Sequence, residues 1–167
     1  IQKQRNFTIL LAIIIGLILL SAILLYVQKR KIKDAHFKLT KQKKQITDSI
    51  EYASRIQNAI LPRDENLNKL IPHEFFILFK PKEVVSGDFY FAERKANKTI
   101  IAAVDCTGHG VPGAFMSMLG YSFLTEIINN LDNIEPHIIL NKLKQYIINA
   151  LHQKNEIGIS KDGMDIS

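Results

Sequence analysis

Phe7 through Val27 runs for twenty-one residues without a charged side chain and is rich in Ile and Leu. At 1.5 Å per residue a helix of that length spans the roughly 30 Å of a bilayer core. The apolar residues cover every face instead of one stripe, which argues against an amphipathic helix packed on a soluble core. A cleaved signal peptide has a shorter apolar core and a small-residue cleavage site, whereas this run gives way to Tyr26-Val27-Gln28-Lys29-Arg30. The expectation is a transmembrane helix at 7–27, preceded by residues 1–6 as the tail of an upstream region. The lack of an initiating Met is read as a start partway through a longer chain.

The charge distribution orients that helix. From Gln28 to Lys44 there are eight Lys and Arg against Asp34 alone, while the other flank offers only Lys3 and Arg5. Positive charge is retained on the cytoplasmic side, so the residues after the helix are expected in the cytoplasm. The formal net charge of +6 is therefore juxtamembrane, and residues 45–167 are slightly acidic. That excludes net basicity as a sign of nucleic-acid binding and points to anionic lipid headgroups, worth on the order of 1 kcal/mol per well-placed cation, with a solvated helix face as the plainer alternative.

Across 28–61, Ile32, Leu39, Ile46, Ala53 and Ile60 recur every seventh residue, as one core position of a left-handed coiled coil does. The second core position is poor: His36, Lys43, Ile50 and Gln57 in one phase, Ala35, Gln42, Ser49 and Ile56 in another. A parallel homodimer with an adjustable register is expected, against the alternative of a single amphipathic helix packed on the next domain. Pro62 ends the helix.

Residues 62–167 carry the chemistry. Thr99 to Val104 is a continuous apolar run closed by a Gly-rich turn, which reads as a buried strand. Glu74 to Lys80 and Val84 to Arg94 read as two more, with Gly87 permitting close backbone approach beside Asp88. Asp88 and Asp105 then stand at strand ends, each near glycine, and adjacent strands bring the two carboxylates to metal-bridging distance. Hard divalent cations favour such oxygen ligands. A helix is expected from Pro112 or Gly113 to Asn129 with Phe115, Met118, Leu119, Ser122 and Phe123 as its core stripe. A second is expected from Glu135 to His152, burying Ile138, Ile139, Leu143, Tyr146, Ile147 and Ala150.

These residues carry a resemblance. Ile56-Gln57-Asn58-Ala59-Ile60-Leu61-Pro62, Ser86-Gly87-Asp88-Phe89-Tyr90, Asp105-Cys106-Thr107-Gly108-His109-Gly110-Val111-Pro112-Gly113-Ala114, and Pro136 through Leu143 with Asn141 resemble, in order and spacing, the first part of a SpoIIE-like (RsbU-like) serine phosphatase domain of the metal-dependent protein phosphatase 2C superfamily. The resemblance implies an α/β (α+β) sandwich of mainly antiparallel sheets flanked by helices, with a two-metal Mn²⁺ or Mg²⁺ site at one edge. By position, Asp105 would bridge both metals, the carbonyl of Cys106 would help hold one, and Asp88 would act directly or through a metal-bound water. Gly87, Gly108, His109 and Gly110 would lie near the site. The implied reaction is hydrolysis of phosphoserine or phosphothreonine by a metal-activated water. The implied substrate is a cytoplasmic regulatory phosphoprotein such as an anti-sigma antagonist.

Further metal-binding aspartates of such domains, in late Asp-Gly and Asp-Asp segments, do not occur before Ser167. Asp162-Gly163-Met164-Asp165 is read instead as the lead-in to a mid-domain strand, and the chain as the N-terminal part of the domain. That keeps open a non-catalytic, membrane-tethered relay with an incomplete phosphatase domain. His109 has three readings: metal ligand, proton donor to the leaving serine oxygen, or a residue that orients its turn. Cys106, the only cysteine, has no intrachain disulfide partner, and the paired acids fit a metal site better than a thiol nucleophile. His36 in the helix after the membrane run raises a histidine-kinase phosphoacceptor, but the expected acidic neighbour is missing, since Ala35 and Phe37 flank it.

Overall fold

The computed structural model describes residues 2–153 and 162–167. It divides into two units, residues 1–47 and 48–167. The first consists of most of helix α1 (Gln2–Ile60). Its described side chains are exposed, including Ile32, Leu39 and Ile46 of the seven-residue repeat. This helix contains a window of mean hydropathy 3.1 with nothing buried, so it is long and apolar enough to cross a membrane.

In the second unit the end of α1 leads to α2 (Asp64–Leu70), strands β1 (Phe89–Lys95) and β2 (Lys98–Cys106), helices α3 (Gly110–Asn130) and α4 (Pro136–Ala150), and a short strand β3 (Met164–Ile166). The three strands form one antiparallel sheet in the order β1-β2-β3. Ala96 and Asn97 make a two-residue hairpin between β1 and β2, with Ala96 at φ 52° in the left-handed region such tight turns require.

Alternation along the strands gives the sheet two faces. Phe89, Phe91, Val104 and Cys106 point to the side covered by α3 and α4, where they join Leu124, Ile127, Ile128, Leu143 and Ile147 in the core. Tyr121 of α3 stacks edge-on against Phe91, ring centroids 5.1 Å apart. The ammonium of Lys95 donates to the carbonyls of Ile128, Asn129 and Leu131 at 2.7–2.8 Å, which satisfies the C-terminal end of α3. The architecture is α+β, as expected; among the described residues it has a single three-stranded sheet instead of two packed sheets.

Several expectations change. The segment 74–80 is not a strand. Phe75 and Phe79 turn partly inward, whereas Phe76 and Leu78 are 89% and 84% exposed. An apolar run makes a strand only when a neighbour supplies a ladder, and 74–80 has none. The expected strand 84–94 begins only at Phe89, because 84–88 is a bent loop packed beneath α3. β2 is not buried on both faces: Ile101 is 58% exposed.

α3 turns a different stripe inward. Gly113, Ala114, Met116, Ser117, Gly120, Leu124, Ile127 and Ile128 are buried, while Phe115 is 65% exposed. The smallest side chains face inward because the loop before β1 passes against the helix there; a Cβ on Gly113 would lie 2.7 Å from the Gly108 carbonyl oxygen and 3.0 Å from the Gly87 Cα. In α4, Ile139, Leu143 and Ile147 are buried as expected, but Ala150 is exposed. Asp162-Gly163 does lead into a strand, β3.

Candidate metal centre

The β1–β2 register sets the geometry. Phe89 stands opposite Val104 and Tyr90 opposite Ala103, so Asp88, one residue before β1, falls opposite Asp105, the penultimate residue of β2. Both carboxylates project from the face away from the helices and are exposed. Partial desolvation, then the hydrogen bond and negative charge of Asp105, raise the Asp88 carboxyl above its ordinary value. Two carboxyl groups close enough to share a proton are also close enough to share a cation.

Glycines let the loops behind them close. Gly108, at φ 89°, carries a carbonyl that would lie 2.7 Å from a Cβ on Gly87, with the Cys106 carbonyl oxygen 3.4 Å away. Any side chain at Gly87 would strike backbone, so the Asp88 loop and the Asp105 turn meet main chain to main chain. The Cys106 carbonyl expected near a metal therefore faces Gly87. Its thiol points the other way, into the core at 4% exposure. Burial, and then Asp88 and Asp105, push that thiol up to about 12, so it is no thiolate nucleophile at neutral pH.

His109 caps the N-terminus of α3 by position only, without a side-chain capping bond. Its Nδ1 instead meets Glu83 Oε1 at 2.6 Å. Gly110, at φ 64°, makes room for that carboxylate, because a Cβ there would lie 2.8 Å from Glu83 Oε2. Glu83 was not legible as a site residue; it sits in an unpatterned loop twenty-six positions away. The contact favours the loop-orienting reading of His109, and among the described residues Nε2 meets no hydrogen-bond partner.

Sequence reasoning also missed a buried polar knot behind Asp88. Gln57, 6% exposed, accepts from the Ser86 amide at 2.9 Å and donates to the Ser86 carbonyl at 2.6 Å and to Ser117 Oγ at 2.8 Å. Ser86 Oγ in turn accepts from the Asp88 amide at 3.1 Å. The last turn of α1 is thereby bonded to the loop that carries the acid. Gln57 belongs to the Ile56–Pro62 motif, but a glutamine in a heptad pattern reads as a weak core position.

Asp88, Asp105 and Asp165 of β3 border a groove of about 830 Å³ whose other walls include Phe79, Tyr90 and Ile101. Among the described residues no three carboxylate, imidazole or thiol groups converge to hold an ion by themselves.

No protein-family model and no curated protein matches the chain. A solved structure does: the SiaA-PP2C domain of Pseudomonas aeruginosa, at 40% sequence identity and a TM-score of 0.64 over 74% of this chain. The chain carries part of a PP2C-like phosphatase domain. It spans 48% of that neighbour's length. The family depends on Mn²⁺ or Mg²⁺, and the oxygen-only donor pair Asp88–Asp105, on an open sheet face with backbone carbonyls close behind, fits a hard divalent cation. The small residues of α3 let it lie close to both acid-bearing loops.

Proposed function

We propose that the chain is part of a membrane-anchored protein serine/threonine phosphatase of the SpoIIE/RsbU-like type, which removes phosphate from a cytoplasmic regulatory protein such as an anti-sigma antagonist. The observation that carries this reading is the pairing of Asp88 with Asp105 on a domain that resembles a PP2C domain at 40% identity. Asp105 and Asp88 would hold the cation pair through their carboxylates, with Asp105 bridging and the Cys106 carbonyl assisting. When bound, Mn²⁺ or Mg²⁺ supplies a water of lowered pKa and neutralises charge on the phosphate oxygens.

The protein's own groups would do the rest. The Gly87–Gly108–Gly113 contact fixes the acid loops, the groove beside Tyr90 and Ile101 receives the phosphorylated segment, and Glu83 holds His109 by Nδ1. Residues 7–27 would anchor the chain, the basic stretch after them would lie at the inner leaflet, and Ile32, Leu39 and Ile46 would pair two copies in parallel. No nucleic acid is expected as a partner.

A second reading, a non-catalytic relay, is favoured by one observation: among the described residues no third carboxylate, imidazole or thiol converges with Asp88 and Asp105 on one point. Phosphate release from a phosphoserine protein, by the longer protein that contains this chain, in Mn²⁺ and in EDTA, separates the two. Mn²⁺-dependent release supports the phosphatase, and none with several phosphoproteins supports the relay.

A further inference from the structure

The strand register places a third carboxylate beside the pair. Asp105 stands opposite Asp165 of β3, and Asp88 stands opposite Asp105 on its other side when the β1–β2 register is continued by one residue. Three acids thus form one row, Asp88 just before β1, Asp105 in β2 and Asp165 in β3, on the face turned away from the helices. The β2–β3 pairing is locked on both sides of Asp165. Thr107 N donates to the Gly163 carbonyl at 2.9 Å, and Ala103 and Ser167 exchange two backbone bonds of 3.0 Å each. The Thr107 hydroxyl also donates to the Gly163 carbonyl at 3.1 Å and accepts from the Gly163 amide at 3.0 Å.

Midway between these bonded pairs, Asp105 and Asp165 are themselves a bonded pair, whose Cα atoms are about 5.5 Å apart. Like charges directly opposite in a sheet are destabilising. Among the described residues none of the three acids is in an ion pair with Lys, Arg or His. A slip of one residue would remove the clash by sending Asp165 to the other face, yet the Thr107–Gly163 clamp forbids it.

We infer that Asp165 is a further carboxylate of the cation site formed by Asp88 and Asp105, a positioning residue that accepts hydrogen bonds from water on the ion instead of ligating it. This rests on reading Asp88 and Asp105 as ligands. An outer role follows from the side chains themselves, since the three acids do not converge on one point. Carboxylates that hold ligands in place from outside typically change metal affinity by about 10- to 100-fold.

The test uses the full chain in detergent micelles. Thermal melting is recorded in EDTA and across a Mn²⁺ series, and free Mn²⁺ is followed by electron paramagnetic resonance, for the unsubstituted chain, Asp165→Asn and Asp105→Asn. Asp165→Asn should bind Mn²⁺ roughly tenfold more weakly and melt higher than the unsubstituted chain in EDTA, because one charge of the row is gone. Asp105→Asn should lose most of the binding. Asp165→Thr, a short polar side chain suited to a strand, is the second variant and should repeat the weakened binding.

Unchanged Mn²⁺ affinity in both Asp165 variants, with loss in Asp105→Asn, overturns the inference and leaves the metal site standing. Lower melting of Asp165→Asn in EDTA with an unchanged Mn²⁺-induced rise overturns it too, as the mark of a merely structural residue. No binding by the unsubstituted chain overturns the Asp88–Asp105 reading and the inference together.

Discussion

Replacing Gln57 tests whether the end of α1 holds the Asp88 loop. In Gln57→Leu the buried Ser86 amide loses its acceptor, a desolvation penalty of about 1–3 kcal/mol. The single Ser117 hydroxyl proton lies within reach of either the Ser86 carbonyl at 3.1 Å or the Ala114 carbonyl at 2.9 Å; turned to the Ser86 carbonyl in the variant, it replaces the lost amide donor there, so that carbonyl adds little. Burial of the apolar leucine returns part of the loss, leaving a net of about 1 kcal/mol. Gln57→Glu, equal in size, should be worse at neutral pH, because it buries a charge and turns an acceptor toward the Ser86 carbonyl. The measurement is hydrogen exchange at the Ser86 and Asp88 amides in the full chain, beside its melting temperature. Both amides should exchange faster in each variant, and Gln57→Leu combined with Ser117→Ala should be non-additive by about 0.5 kcal/mol or more. Losses under about 0.5 kcal/mol, or an additive pair, would refute the knot as a coupling element.

Three more outcomes are expected from the same structure. Gly113→Ala forces a Cβ against the Gly108 carbonyl; it should cost about 1–3 kcal/mol and weaken Mn²⁺ binding by spreading the acid loops, which calorimetric titration reads directly. Lys95→Met removes the ammonium bonded to three carbonyls at the end of α3, so denaturant unfolding should show a loss of about 1–2 kcal/mol with Mn²⁺ affinity kept. The raised Asp88 carboxyl gives the sign of a pH effect: folding takes up a proton there, so its contribution is full below the ordinary value of 3.8 and is lost as pH rises through the higher folded value. The metal-free chain should therefore lose melting temperature across that window more steeply than Asp105→Asn, and equal slopes would contradict it.

What was legible in the chain were features written in local residue order. The apolar run 7–27, the Pro62 stop, the glycine-flanked acids and the two amphipathic stretches after them each depend on near neighbours, and the structure reproduces a helix, two paired strands and two helices there. What was not legible depends on distant partners. Phe115 looked like core and Gly113 did not, because the inward face of α3 is set by how closely the Gly87 and Gly108 backbones approach it. Glu74–Lys80 has the composition of a strand and lacks a ladder. Glu83 carries no local signal, and Gln57 and Asp165, though they lie in motifs, carry none for these contacts; the three reach the site through a turn, a helix end and a strand register respectively. Asp165 lay in a segment correctly read as a strand lead-in, yet only the pairing with Asp105 shows which way it faces.

If the β1–β2 register builds a divalent-cation site from Asp88 and Asp105, as proposed, Mn²⁺ should sit between the two carboxylates. Crystals grown with Mn²⁺ and measured at the manganese absorption edge test it most directly. An anomalous peak within coordination distance of both carboxylates, absent in Asp105→Asn crystals, is the predicted result. Well-ordered Asp88 and Asp105 with no peak between them at saturating Mn²⁺, or a peak only elsewhere on the chain, would contradict it.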